Sequence, residues 1–292
     1  MPGSAPGRGT TAGDRTVRGR DLGPTDRIAA RSAPLGRCRQ LLLLLAALKS
    51  HTLRKFKAMH RDETFDAQHF TPDELLGPLN QVERKFAPEL VYVVGDDQLL
   101  RSGRRVSVIG SRAASLDATR RTRKLVKALV AENVTVVSGL AAGIDTAAHS
   151  AAIEFGGRTI ADLGTGVDRA FPSPNAGLHR EIATFHAAVS QFSLGSPPLS
   201  HHFPRRNKTM ALISDATVIV TAGERSGTVH QAWEALRLGR DLLLLKSLAS
   251  RRFTWTEELL SYGAEVLSDE NLKTWLDSLR ERVIFDEAEL VF

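Results

Sequence analysis

Four short segments of the sequence combine glycine, hydroxyl side chains and cations at spacings suited to binding an anion. The first is Gly110-Ser111-Arg112, which directly follows an apolar run. Glycine lets the backbone approach a ligand, the Ser111 hydroxyl can donate a hydrogen bond, and Arg112 can pair with a phosphate through a bidentate fork. An ordinary turn with a solvated arginine remains the alternative interpretation of so short a motif.

The second segment, SGLAAGID, contains Ser138, Gly139 and Gly143 and follows another apolar run. Small residues before a helix expose backbone N–H groups to which the helix dipole attracts an anion. The Gly-x-x-x-Gly spacing differs from the dinucleotide-binding fingerprint, and the lysine of a nucleoside-triphosphatase loop is absent from this segment.

Asp145 and His149 follow in the same segment, four residues apart and therefore on one helix face. Such a pair could bind a ribose or a metal ion as polar groups of a pocket. Alternatively, Asp145 caps the helix and His149 is a hydrogen-bonded, partly buried side chain.

The third segment opens a helix with three cations and an amide: Arg205, Arg206, Asn207 and Lys208. Cations are unfavourable near a helix N-terminus, so this placement indicates an anionic partner or strong solvation. The sequence therefore predicts phosphate contacts here.

The fourth segment contains Ser226, Gly227 and Thr228 and also precedes a helical pattern. Hydroxyls and backbone N–H groups in this order can cradle a phosphate. Serine and threonine are also common helix caps, which is the alternative reason for their presence.

The elements that must position these segments alternate along the chain from about residue 104. The predicted strands are Val106–Ile109, Val134–Val137, Thr159–Leu163, Ala187–Gln191, Val218–Thr221 and Leu242–Leu245. The predicted helices are Asp117–Ala131, Ile144–Phe155, Ala176–Phe185, Arg206–Ser214 and Val229–Leu238. This alternation favours an α/β, doubly wound, mostly parallel sheet of the extended Rossmann-like type. Ligands of such sheets bind at the carboxyl ends of the strands, where all four segments fall.

Charge is distributed unevenly along the 292 residues. Residues 1–60 hold 12 Lys/Arg and 3 Asp/Glu, whereas the remainder holds 27 Lys/Arg and 30 Asp/Glu. We expect 1–59 to be a disordered basic tail, 60–103 a short helical and extended lead-in, 104–270 the Rossmann-like domain, and 271–292 a terminal helix with an acidic tail. With 42% apolar and 25% charged residues, the composition excludes a wholly disordered or collagen-like chain.

Composition also bears on cellular context. The chain contains a single cysteine, Cys38, so a disulfide framework or a cysteine-rich zinc site cannot form within it. The longest apolar run, Leu41 to Leu48, is too short to span a bilayer, and basic residues follow it in place of a cleavage pattern. We therefore expect a cytoplasmic protein with no membrane partner.

Taken together, the motifs resemble those of the DNA-processing protein A family, also called DprA or Smf, over residues 88–247. The matching runs are VSVIGSR, SGLAAGIDTAAH, TIADLG, PSPNAGL and FPRRNKTMALIS, followed by Ser226 to Thr228. The resemblance implies an extended Rossmann fold that binds single-stranded DNA in a basic pocket without catalysis, cofactor or metal. It also implies a homodimer that helps to load the RecA recombinase during natural transformation.

By that resemblance, the DNA pocket is formed by Ser111 and Arg112 with Arg205, Arg206 and Asn207, and by the Ser226–Thr228 loop. Ala142 departs from the family, which often has Arg or Lys at that position to contact phosphate. Losing this cation should weaken binding and its salt dependence. The regions flanking the domain are short, so we expect a stand-alone core.

A small-nucleotide pocket is the alternative from another functional class, either as a sensor or as a nucleoside-monophosphate phosphoribohydrolase. The wider superfamily resembled here includes hydrolases with the signature Pro-Gly-Gly-x-Gly-Thr-x-x-Glu. Aligning Gly227-Thr228 with it places Gln231 at the catalytic Glu position, and an amide cannot act as a general base. Glu234, one helical turn further, could substitute only if the substrate bound in a shifted pose.

Overall fold

The computed structural model describes residues 65–224 and 226–280, all within one compact unit, Arg61–Phe292. The strands of these residues are β1 (Gln68–Phe70), β2 (Val91–Gly95), β3 (Arg105–Gly110), β4 (Thr135–Ser138), β5 (Thr159–Asp162), β6 (Ala187–Ser190), β7 (Ala216–Thr221), β8 (Asp241–Leu245) and β9 (Glu265–Leu267). The helices are α1 (Pro72–Leu76), α2 (Gln81–Phe86), α3 (Gln98–Arg101), α4 (Leu116–Ala131), α5 (Ile144–Glu154), α6 (Ala176–Phe185), α7 (His202–Leu212), α8 (Thr228–Arg237), α9 (Lys246–Ala249), α10 (Thr254–Ser261) and α11 (Leu272–Ser278).

The strands form one sheet in the order β1-β2-β6-β5-β4-β3-β7-β8-β9. From β6 to β9 every neighbouring pair is parallel, whereas β2 runs antiparallel to both β1 and β6. The chain winds outward from β3 in one direction through β4 and β5, and then in the other through β7 and β8. This confirms the doubly wound α/β fold, with the reversal between β3 and β7.

Both faces of the sheet are covered, which explains the nearly continuous apolar character of the strands. Val106 and Val108 of β3 pack with α4, α5 and α11 on one face, while Ile109 packs with α7 and α8 on the other. The helix α4 begins after Ser115, whose hydroxyl accepts a hydrogen bond from the Ala118 backbone N–H at 3.2 Å. This cap starts the helix just beyond the first candidate segment.

The lead-in segment contributes directly to the sheet. Its strand β2 lies against β6, and Leu99 and Leu100 join the main apolar core. A nearly buried ion pair joins Glu83 of α2 to Arg240 before β8 at 2.6 Å. The expected division near residue 104 therefore falls within a single sheet.

Observed element bounds mostly lie within two residues of those expected, with one informative exception. The helix α7 begins at His202, four residues before the expected start, because Pro204 falls in the first turn, where a missing N–H costs nothing. The terminal helix is α11, whereas the basic tail and the acidic residues from 281 onward lie outside the described residues. Within 65–224 and 226–280, no helix combines the length and apolarity needed to cross a membrane.

Candidate functional site

The first segment lies at the carboxyl ends of β3 and β7, where the winding of the sheet reverses. The Ser111 backbone N–H donates to the Thr221 carbonyl at 2.9 Å, joining the two strand ends. A Cβ on Gly110 would lie 2.6 Å from Ile144 Cγ1 and 2.8 Å from the Thr221 carbonyl oxygen. Glycine is therefore required for the close packing of β3, β7 and α5 at this point.

The second segment packs directly on the first. Gly143 has φ +82°, and a Cβ there would lie 2.3 Å from the Ser111 carbonyl oxygen. The Ile144 backbone N–H donates to that same carbonyl at 3.2 Å. The structure thus brings the two segments together as one rigid unit at the N-terminus of α5.

Asn175 holds the second segment from its other side, a role that was not predicted from the sequence. Its amide Nδ2 donates to the Leu140 carbonyl at 2.8 Å and to the Thr146 hydroxyl at 2.9 Å. The only sequence signal was its place in the PSPNAGL run, since an isolated asparagine is usually a turn residue.

Arg206, expected to contact phosphate, is buried beneath the loop. Its Nη1 donates to the Asp162 carbonyl at 2.8 Å, and its guanidinium lies against Gly139, where a Cβ would be 1.7 Å from Nη1. Only 5% of the residue is exposed. In this structure Arg206 therefore supports the pocket from within and does not face a ligand.

Two buried carboxyl groups, Asp145 and Asp162, lie near this guanidinium. Burial raises the pKa of Asp145, while Arg206 and backbone N–H groups partly oppose the increase; the Ala141 N–H donates to Asp145 at 3.3 Å. Burial raises the pKa of Asp162 well above its usual value, again opposed by Arg206. Among the described residues, no hydrogen-bond partner reaches either Asp162 carboxyl oxygen.

His149 and Ser138 are also fully buried. The Thr159 hydroxyl donates to the Val136 carbonyl at 2.8 Å, so it accepts from His149 Nδ1 at 2.7 Å. Burial, with contributions from His186 and Arg206, lowers the pKa of His149 to about 3, so the ring is neutral. The Ser138 hydroxyl donates to the Val108 carbonyl at 2.7 Å. The arrangement fits a hydrogen-bonded core histidine better than a ribose or metal ligand.

Two arginines of the candidate segments are exposed, and each lies near an aromatic ring. Arg112 lies 5.5 Å from the Phe203 ring centroid and Arg205 lies 5.3 Å from that of Phe192. Phe171, which is 38% exposed, adjoins Phe203 at 5.7 Å. Phe192 itself is buried, whereas Phe171 and Phe203 offer aromatic surface beside a cation.

The fourth segment follows β7, and its hydroxyls bond to each other. The Ser226 hydroxyl donates to Thr228 Oγ1 at 2.9 Å and accepts from the Thr228 backbone N–H at 3.2 Å. Gln231 is buried in the next turn, while the Glu234 carboxylate pairs with Arg237 at 2.7 Å. The Ser226 and Thr228 side chains thus contact each other at the start of α8, and Glu234 has a cationic partner of its own.

Two further cations, Lys208 and Arg123, have other partners. Lys208 projects over the ring of Phe86, 5.7 Å from its centroid. On α4, Arg123 forms two 2.6 Å hydrogen bonds with Glu154. This part of α4 fits the solvated, ion-paired face that charge runs usually form.

A family model described as DNA recombination-mediator protein A matches residues 68–278, which is most of the chain. The chain belongs to this family. Its domain corresponds to the whole sheet from β1 to β9 with the helices on both faces, so the lead-in strands lie within the family match.

Relatives of known name agree with this assignment. The chain is 34% identical to the protein Smf of Synechocystis sp. over 225 residues, and 40% identical to the DNA processing protein DprA of Streptococcus pneumoniae over 183 residues. These matches cover 76% and 62% of this chain but 56% and 64% of the relatives. The chain thus spans little more than half the length of the curated relatives it matches.

Solved structures of the family share the fold. The X-ray structure of DprA from S. pneumoniae matches with a TM-score of 0.63 and 32% identity, covering 73% of this chain and 75% of that one. DNA processing protein A from Helicobacter pylori, whose structure concerns its single-stranded DNA binding mode, matches with a TM-score of 0.62 and 25% identity, covering 75% and 98%.

Proposed function

We propose that this protein binds single-stranded DNA at the switch point between β3 and β7 and acts as a mediator of DNA recombination in natural transformation. The observation that carries the proposal is the pair of exposed guanidinium groups of the candidate segments, Arg112 and Arg205, which lie 5.5 Å and 5.3 Å from aromatic ring centroids. Family membership and the binding mode named for the H. pylori protein support the same assignment.

The chemistry of the candidate site suits a nucleic-acid strand. A guanidinium can pair with a phosphate through two hydrogen bonds, and an adjacent aromatic face can stack on an unpaired base. Phe171 and Phe203 supply such faces beside Arg112, while Ser111, Asn207 and the Ser226–Thr228 loop supply polar groups. Buried Gly139, Ser138 and Arg206 keep these groups in place.

The proposal includes no chemical step. Gln231 occupies the position of the hydrolase carboxylate and is buried, and the Glu234 carboxylate is held by Arg237. We propose a cytoplasmic homodimer that hands its strand to the RecA recombinase, which is the role that the family resemblance implies.

Fluorescence anisotropy of labelled oligo-dT at low salt tests the binding proposal. Arg112→Ala and Arg205→Ala should each weaken affinity about tenfold, because each removes a charge-assisted phosphate contact, and should lower the salt slope by about 0.7. Arg158→Ala is the matched control, since Arg158 is exposed at the opposite edge of the sheet, before β5. It should bind as the wild type does.

Absence of binding by the wild-type protein at micromolar concentration would overturn the proposal. Equal losses of oligo-dT affinity in Arg158→Ala and Arg112→Ala would also overturn it, because binding would then depend on the overall surface charge and not on a specific pocket. Binding of AMP in a direct titration, without any binding of labelled oligo-dT, would favour the small-nucleotide alternative.

A further inference from the structure

A second concave region lies at the carboxyl edge of the sheet, beyond β8 and β9. The cleft has a volume of about 480 Å³ between α4, α9 and the loop that follows β9. Its floor is apolar and consists of four leucines: Leu125, Leu245, Leu267 and Leu272. Clefts of this size accommodate small organic ligands.

The rim of the cleft carries cations and hydroxyl groups. Arg121 and Lys124 come from α4 and Lys246 comes from the start of α9, while three serines complete the polar lining: Ser247, Ser250 and Ser268. An apolar floor suits the plane of a nucleobase, cations suit its phosphate, and hydroxyls suit the edges of a base or a sugar. The lining therefore has the chemistry of a nucleotide site.

Two carboxylates of the loop after β9 pair with the two rim lysines in the free protein, while Arg121 pairs with Asp117 of its own helix. Lys124 pairs with Asp269 at 2.6 Å and Lys246 pairs with Glu270 at 3.6 Å. All four side chains are more than half exposed, so each pair contributes little to stability. A phosphate can replace these carboxylates at low cost, because it satisfies the same ammonium groups.

The cleft and the switch-point pocket share one edge of the sheet. Only β7 and β8 separate β3 from β9, and neighbouring strands lie about 4.8 Å apart, so about 14 Å separates the two strand ends. A strand that leaves the first pocket can cross β7 and β8 within a few nucleotides and enter the cleft.

We propose that the cleft is a second nucleotide subsite, which binds a nucleotide of the same single strand that occupies the switch-point pocket. This inference rests on the proposed function, since it extends the path of that strand. The phosphate contacts Lys124 and Lys246, and the base lies against the leucine floor.

Oligonucleotide length separates this subsite from the first pocket. In anisotropy titrations of the full chain, dT25 should bind more tightly than dT4, because only the longer strand reaches both sites. The double variant Lys124→Gln/Lys246→Gln should lose about tenfold in dT25 affinity with a salt slope lower by about 1.4, and should keep its dT4 affinity. The control Lys273→Gln removes an exposed lysine that pairs with Glu132, on the far end of α4, and should change neither.

A second double variant is expected to increase dT25 affinity, which distinguishes a lost DNA contact from local destabilisation. Asp269→Asn/Glu270→Gln removes the competing carboxylates, so it should tighten dT25 binding severalfold, which local destabilisation would not do. Equal dT25 affinity in the wild type and both double variants would overturn the subsite.

The two proposals can fail separately. Amide NMR shifts during titration with dTMP test the cleft alone. Shifts at Ser247 and Ser268 without any oligo-dT binding would show a nucleotide site in the cleft and would overturn the shared path of the strand. If oligo-dT binds but dTMP moves no amide of the cleft and dT25 binds no tighter than dT4, the first pocket stands and the second subsite is wrong.

Discussion

Glycine occupies the positions where the loops of the candidate site come closest together. Gly143 lets the second segment touch the Ser111 carbonyl, and Gly139 leaves room for the guanidinium of Arg206. Because these contacts are between backbones or with a buried cation, the geometry of the candidate site depends on close packing within the protein itself.

Gly143→Ala tests this dependence. The new Cβ would clash with the Ser111 carbonyl at a φ that alanine rarely adopts, so we expect a loss of about 1–3 kcal/mol in the free energy of unfolding and weaker oligo-dT binding. Urea denaturation and anisotropy measure the two effects. Gly177→Ala is the control, because Gly177 lies in α6 and a Cβ there would meet no atom within 4 Å, so the change should be neutral or slightly stabilising.

The buried His149 predicts a dependence of stability on pH. Its pKa falls from 6.5 to about 3 in the folded state, so the unfolded chain binds the proton first as pH decreases. The contribution of neutral His149 to the free energy of unfolding is complete above pH 6.5 and decreases below that pH. The loss is about 2 kcal/mol at pH 5. The raised pKa values of Asp145 and Asp162 act in the opposite direction, so a variant is needed to isolate the histidine.

His149→Gln removes this titration while keeping a polar side chain. The difference in unfolding free energy between wild type and variant, from urea denaturation, should shrink by about 2 kcal/mol between pH 7 and pH 5. His230→Gln, at an exposed position of α8, is the matched control. A pH-independent difference for His149→Gln would contradict the assignment.

Residue types and spacing predicted which segments surround the site but not which side chains face outward. Arg205 and Arg206 are adjacent cations with identical chemistry, yet one is exposed and the other lies under Gly139. The difference in exposure arises from the rotation of α7 about its axis relative to β5. No local sequence pattern indicates this rotation. Asp162 likewise lies in an apolar strand, and no local sequence pattern indicated that Arg206 of α7 would be its neighbour.

At the level of elements, the lead-in segment is joined to the sheet by pairing and by charge. Glu83 on α2 also accepts the Asn80 backbone N–H at 2.8 Å, so one carboxylate both caps a helix and binds Arg240. With both partners of the ion pair mostly buried, removal of either leaves an uncompensated charge.

Arg240→Met should therefore lower the free energy of unfolding by about 3 kcal/mol, as measured by urea denaturation. Adding Glu83→Gln should recover part of the loss, since the buried charge is then gone. Lys273→Met is the control: Lys273 is itself exposed, and the change should stay below about 1 kcal/mol. Equal effects at the two sites would contradict a structural role for the Glu83–Arg240 pair.

Alternation of apolar runs with helical patterns was sufficient to predict the parallel part of the sheet, because each strand there is buried on both faces. The same signal was too weak for β1 and β9, which have three residues each, and for β2, whose apolar run is four residues long and ends at Gly95. Antiparallel addition of β2 to β6 depends on contacts between residues almost 100 positions apart, which periodicity does not report.

For the whole molecule, net charge and binding surface are separate properties. The residues from 61 onward are slightly acidic in total, so their net charge does not attract DNA. The proposed pocket depends instead on a few cations placed close together. A chain that begins at residue 61 should accordingly bind oligo-dT with a smaller salt slope than the full chain, whose first 60 residues carry a net charge of +9. Anisotropy at several salt concentrations measures both slopes, and identical slopes would show that the first 60 residues do not contact DNA.

The nine-stranded sheet ends at β1 on one side and at β9 on the other, and both are only three residues long. Short outer strands offer few unpaired backbone groups to a neighbouring molecule. Addition of strands from other copies is thereby disfavoured at both margins of the sheet. Merging of several copies into continuous β-structure is therefore a poor route for self-association of this domain.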